Sequence, residues 1–299
     1  MNLKQSSLEH ALKEKRFVVT SEVQVPLGDE DSDRLVESLA RENKNGKING
    51  PQTKKIQLEG VVGDTIKTCT LLKQNDLNPI YQTTTRDKNR YQLQKDLINA
   101  SEAGAQNLLV FTEDYRISGD TLQESMFFHV DSGKLISVIE HLQKGITIEH
   151  TRLDQNIYFF LGCGVEVPLG KTMSKQGLDQ MEDMMDAGAG FFLTTPVFDV
   201  DHFTKFIDQA KPYKIPVIAE VMVLRTPEMA KFLNRHFKPG LVPEWAIQKL
   251  SYTSDKQKAS IELFTKIVQN LKNICQGVHI VTIGGVDNLG EYLSAAKLR

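Results

Sequence analysis

Carboxylates recur at one kind of place in this sequence: at or just past the ends of short apolar, β-branched runs. Glu22 closes the run 17–23, and Gln57 and Glu59 lie in 55–60. Gln82 and Thr84 lie in 79–85, Glu113 and Asp114 end 107–113, and Glu166 follows 158–165. Thr194 and Thr195 fall in 191–197, Glu220 in 216–223, and Gly284–Gly285 close 277–284. Carboxyl groups crowded together and partly desolvated take up raised pKa values, and can then serve as general acids near neutral pH.

Other chemistries lack their signatures. There is no GxSxG, no HExxH and no P-loop. His129, His150, His202 and His236 are isolated, and no metal triad can be built from them by spacing. His279 sits inside the run 277–281 and reads as a satisfied packing residue of a strand. The inventory suits hydride or proton transfer with an organic cofactor better than metal-assisted hydrolysis.

The elements that must position these groups follow from the rhythm of the chain. Eight apolar runs, each too short for a helix and bounded by Gly, Pro, Asn or Lys, read as strands. Helical patterns lie between them, at 33–44, 65–74, 91–103, 134–143, 174–187, 200–210, 226–236, 243–250, 256–274 and 286–298. Several stop at glycine, as at Gly104, Gly145 and Gly188. The segment 226–236 opens Thr-Pro-Glu, a cap followed by proline in the first turn. Strict alternation of strand and helix implies a parallel sheet with helices outside. Eight units at this length imply a single (β/α)8 TIM barrel, an α/β fold spanning 1–299 as one domain. An open dinucleotide-binding sheet is disfavoured, because Val23-Gln24-Val25-Pro26-Leu27-Gly28 offers no GxGxxG after the first strand. In a barrel, the loop 114–130 falls on the catalytic face and the polar loop 43–55 on the opposite one.

Bulk properties exclude several classes. The 299 residues are 40% hydrophobic and 25% charged, with a formal net charge of -2. The basic patches are short and diluted by acids, so nucleic acid is not an expected partner. No apolar stretch approaches a membrane span, and the polar, helix-like N-terminus 1–16 lacks the apolar core of a signal peptide. Cys69, Cys163 and Cys275 are few, odd in number and form no CxxC pair. They read as reduced thiols of a cytoplasmic protein, with neither a structural zinc nor a disulfide framework. The apolar spacing Ile261, Phe264, Ile267, Val268 and Leu271 within 243–274 fits either a subunit interface or the ordinary barrel-covering face.

Several blocks, taken in order, resemble the methylenetetrahydrofolate reductase family. Thr20-Ser21-Glu22-Val23 followed by Pro26 resembles its first strand. The block 79–90 (PIYQTTTRDKNR) resembles its third strand and loop. Asn107 to Asp114 resembles its fourth, and Phe128-His129-Val130-Asp131-Ser132 a flavin-contacting segment. Asp186 to Ala189 with Thr194 to Asp199 resembles its fifth helix and sixth strand, and Cys275 to His279 its last. The resemblance implies an oxidoreductase of one-carbon metabolism that reduces 5,10-methylenetetrahydrofolate to 5-methyltetrahydrofolate. FAD or FMN would relay hydride from NAD(P)H, in a homo-oligomer. It further implies Glu22 as general acid on the folate, Asp114 beside flavin and pterin, and Gln82, Thr84, Phe128 and His129 as flavin contacts. Thr195 stands where a pterin-binding glutamine is expected.

Four positions depart from the family pattern. Glu113 replaces the glycine before the aspartate, Met184 replaces a phosphate-binding lysine, Thr195 replaces that glutamine, and Glu220 stands in a strand that usually bends at glycine. Two alternatives accommodate these departures. One is a folate-binding reductase without flavin; the other is a non-catalytic subunit partnered with a one-carbon or electron-transfer protein.

Overall fold

The computed structural model describes residues 5–23, 58–62, 66–84, 88–111, 132–170, 172–282 and 289–298. The expected helix 33–44 and the loops 43–55 and 114–130 lie outside them. Eight strands form a closed, all-parallel barrel in sequence order: β1 (Val18–Val23), β2 (Leu58–Val62), β3 (Pro79–Thr84), β4 (Asn107–Phe111), β5 (Phe160–Val165), β6 (Phe191–Pro196), β7 (Val217–Met222) and β8 (Gly277–Val281). β8 pairs back onto β1, with Val18 opposite Gly277 and Thr20 opposite His279. The TIM-barrel class expected from the alternation is the one observed.

The described helices are α1 (Ser7–Lys13), α2 (Ile66–Gln74), α3 (Arg90–Glu102), α4 (Ser132–Gln143), α5 (Lys175–Asp186), α6 (Val200–Ala210), α7 (Pro227–His236), α8 (Glu244–Tyr252), α9 (Lys256–Leu271) and α10 (Leu289–Ala295). Local chemistry starts them. Asn89 and Gln92 form a reciprocal capping box at α3, and the Thr226 and Asp255 side chains accept backbone amides at α7 and α9. On α9, Phe264, Ile267, Val268 and Leu271 are buried in the layer between helices and barrel. That stripe is therefore the barrel-covering face of the two readings left open.

Side chains alternate along each strand between this outer layer and the lumen. Val19, Tyr81, Leu108, Leu161, Phe192, Ala219 and Val278 pack with the helices. Val18, Ile80, Leu109, Phe160, Phe191, Leu193 and Ile218 form a second cluster inside the barrel. Phe160 and Phe191 stack there, ring centroids 5.3 Å apart. Their room comes from glycine: a Cβ on Gly162 would lie 2.1 Å from Phe191 Cζ.

Two readings of the sequence are corrected. The second strand runs Leu58–Val62, not 55–60. Gly60 is not its stop, because the backbone pairs Gly60 with Ser21 on one side and Pro79 on the other. The N-terminal segment is also more than a polar helix. Leu8, Ala11 and Leu12 of α1 are buried against the first lumen residues of the strands and close the N-terminal end of the barrel. Its polar side is tied down as well, since Tyr158 Oη donates to Glu9 Oε1 at 3.1 Å.

Candidate active site

With the N-terminal end plugged by α1 and the aromatic layer above it, polar groups gather in the half of the lumen towards the strand C-termini. The register sets them out. Glu220 on β7 pairs with His279 on β8, and His279 pairs with Thr20 on β1. Glu22 lies two residues beyond Thr20, on the same side of the strand and one layer nearer the mouth. Gln82 on β3 faces the same space from the register of Leu109.

His279 is almost fully buried, and its Nδ1 lies 2.8 Å from Thr20 Oγ1. Burial lowers its pKa to about 3, so the ring is neutral at physiological pH. The two glutamates are half-buried. Desolvation raises the Glu22 carboxyl above the usual range. Glu220 is pushed up to about 8, first by desolvation and then by the negative charge of Glu22. The backbone of Glu220 is fixed: its amide donates to Thr194 Oγ1 at 3.3 Å, and its carbonyl accepts the Val197 amide at 2.8 Å. The β6–β7 register shifts at this point, between Leu193 and Pro196. Such an arrangement can hold a proton on a carboxyl near neutral pH and deliver it to a base entering the mouth.

The structure brings together Glu22, Gln82 and Glu220. Thr195 stands at the end of β6, half-buried, and its Oγ1 accepts the Val167 amide at 3.0 Å. Thr84 is the last residue of β3. Asp114, Phe128 and His129 lie outside the described residues. The reading of His279 as a satisfied strand residue stands, but sequence gave no hint that its partner would be Thr20, 259 positions away.

Beside the barrel mouth, the end of β5 and the start of α5 bound a cavity of about 450 Å³. Its lining includes Glu166, Leu169, Met173, Gln180, Met184 and Lys238. Lys238 is ion-paired with Glu166. Spacing could not have revealed this pair, because 72 residues separate the partners.

The chain belongs to a family that fits this site: residues 7–289 match the model for methylenetetrahydrofolate reductase. No curated relative matches. Among solved structures, the chain resembles an uncharacterized protein from Clostridium thermocellum that binds two copies of 5-methyl-5,6,7,8-tetrahydrofolic acid. The TM-score is 0.61 at 13% identity, covering 98% of each chain. A protein from Aquifex aeolicus VF5 aligns with TM-score 0.53 at 12% identity, over 97% of this chain and 96% of that one. Identities this low show the shared fold alone.

Family membership implies a flavin, and the cavity at α5 tests the fit. Among the described residues its only lining lysine, Lys238, is ion-paired with Glu166, and the buried thioether of Met184 stands where the family resemblance expects a lysine. A pyrophosphate needs charge-assisted donors. The described residues of this wall do not fit the pyrophosphate of a flavin dinucleotide. The thiols do not suggest redox chemistry either, since burial raises Cys69 and Cys163 to about 12 and Cys275 to about 11. No described helix is long and apolar enough to cross a membrane.

Proposed function

We propose that this chain, acting as one barrel domain in the cytoplasm, reduces 5,10-methylenetetrahydrofolate to 5-methyltetrahydrofolate, with NAD(P)H as the source of hydride. One observation carries the reading: in a chain of this family, Glu22 stands at the mouth end of the lumen with its carboxyl held above the usual range. That group can protonate N10 of the bridged folate. The five-membered ring then opens to an N5 iminium, and hydride at the methylene carbon gives the 5-methyl product. Asp114 would stabilise the cation. Gln82 and Thr195 would hold the pterin edge, with Thr84, Phe128 and His129 against the hydride donor. The folate bound by the Clostridium thermocellum protein is the product of this reaction, which supports a folate as ligand here. No step is assigned to FAD or FMN, because among the described residues lining the α5 cavity the one lysine is already ion-paired with Glu166.

Purified protein given 5,10-methylenetetrahydrofolate and NADH or NADPH is expected to form 5-methyltetrahydrofolate. Glu22→Gln is expected to slow this by about 100-fold or more while folate still binds by calorimetry. Absence of folate binding to the wild type would sink the reading. Full activity of Glu22→Gln in a complex with an electron-transfer partner would point instead to a non-catalytic subunit. The visible spectrum decides the donor: a colourless protein that turns over transfers hydride directly from nicotinamide, and a yellow one returns the flavin.

A further inference from the structure

Glu220 is not needed by the chemistry above, and it stands where the family pattern usually has glycine. It is nevertheless built into the lumen, with its backbone pinned at the β6 register shift by Thr194 and Val197. Among the described residues, the strand groups around it contain no counter-charge. β8 offers His279, neutral and bonded to Thr20; β6 offers the hydroxyls of Thr194 and Thr195. β1 offers Thr20 and Glu22, β3 Gln82, β4 Phe111 and β5 glycine at Gly162 and Gly164. Glu59 of β2 pairs its backbone with Thr20. Among the described residues, no Lys or Arg occupies a lumen position on any of these strands. Two carboxylates in a desolvated space without a cation do not both ionise; they keep one proton between them.

We propose that Glu220 is a positioning residue for the proton, a second lumen carboxyl that shares one proton with Glu22 and holds it there at neutral pH. The inference rests on Glu22 as the acid in the reading above. When Glu22 protonates N10, the pair passes from one shared proton and one negative charge to no proton and two. The lost proton is now on N10, and the N5 iminium cation forms in the same step. Hydride from NAD(P)H, oxidised to NAD(P)+, discharges that cation, and solvent returns the proton to the pair.

Each carboxyl should then report on the other. In wild-type protein, the protonated-carboxyl stretch in the infrared is expected to titrate near 8. In Glu22→Gln, which keeps Glu220, that titration should move down by about one pH unit or more, because the neighbouring charge is gone. Glu220→Gln should lower the alkaline limb of kcat/KM by a similar amount and leave the rate on the acid side within a few-fold. Glu220→Asp should restore most of the limb, which a purely structural role would not do. Superimposable pH profiles for wild type and Glu220→Gln, or an infrared titration unmoved by Glu22→Gln, overturn the proposal. If the protein reduces no folate but the titrations move as stated, proton sharing stands and the reductase reading alone fails.

Discussion

Thr20 Oγ1 and His279 Nδ1 satisfy each other inside a space that excludes most water, and burial keeps the imidazole neutral. Thr20→Val keeps the shape and removes the hydroxyl, leaving a buried ring nitrogen without its partner. The expected loss is about 1–3 kcal/mol, seen as a Tm lower by a few °C. A melt unchanged from wild type would show that another group or water takes the hydroxyl's place. At this scale the sequence was informative about identity and silent about company. Glu22 and Glu220 were both legible as strand-end carboxylates. That the charge of Glu22 raises the proton affinity of Glu220 was not, because 198 positions separate them and only closure of the barrel brings β7 within one strand of β1. Glu220 read as a departure from a family pattern; in the fold it is a neighbour of the proposed acid.

The elements show where local rules suffice and where they fail. α6 spans Val200–Ala210, as its pattern predicts, and α3 and α7 start within a residue of their expected places. Caps and glycine stops are short-range chemistry, so sequence carries them. β2 is different. Its boundaries follow from pairing with Val19–Val23 and with Pro79–Tyr81, and a glycine that looks like a terminator becomes an ordinary sheet position. α1 is the stronger case, since a short polar-looking helix proves to be the floor of the barrel. Leu8→Ala is expected to cost about 2–5 kcal/mol, as for other buried leucines, although the residue lies far from the mouth. Gly162→Ala should be as damaging for the opposite reason: the new methyl would overlap the Phe191 ring. Denaturant unfolding of the two variants checks both, and near-wild-type midpoints would show that the lumen layer can rearrange.

For the whole molecule, the buried titratable groups predict how stability depends on pH. His279 takes up a proton more readily when unfolded, between about 3 and the ordinary 6.5, so stability rises with pH across that window. Glu220 behaves oppositely. Between the ordinary 4.5 and about 8 the unfolded chain has released a proton that the folded one retains, so stability falls as pH rises. From 4.5 to 6.5 the two slopes oppose each other, which places maximum stability in mildly acidic solution. Glu220→Gln removes the alkaline fall and should stabilise the protein at pH 8 by roughly 2–4 kcal/mol, with little effect near pH 4. Chemical denaturation at the two pH values tests this, and equal stabilities of wild type and variant at pH 8 would contradict it.

The sequence by itself determined the alternation of strand and helix, the barrel class that follows from eight such units, and the strand-end placement of Glu22, Gln82, Thr195 and Glu220. These depend on period, caps and turns, which act over a few residues. Only the tertiary structure decided that α1 plugs the lumen, that Thr20 meets His279, that Lys238 is spent on Glu166, and that Glu22 and Glu220 face one desolvated space with no lumen cation among the described strand residues. The physical reason is that charge, burial and hydrogen-bond satisfaction belong to neighbours in space. In a closed barrel, the nearest neighbours of the first strand come from the far end of the chain.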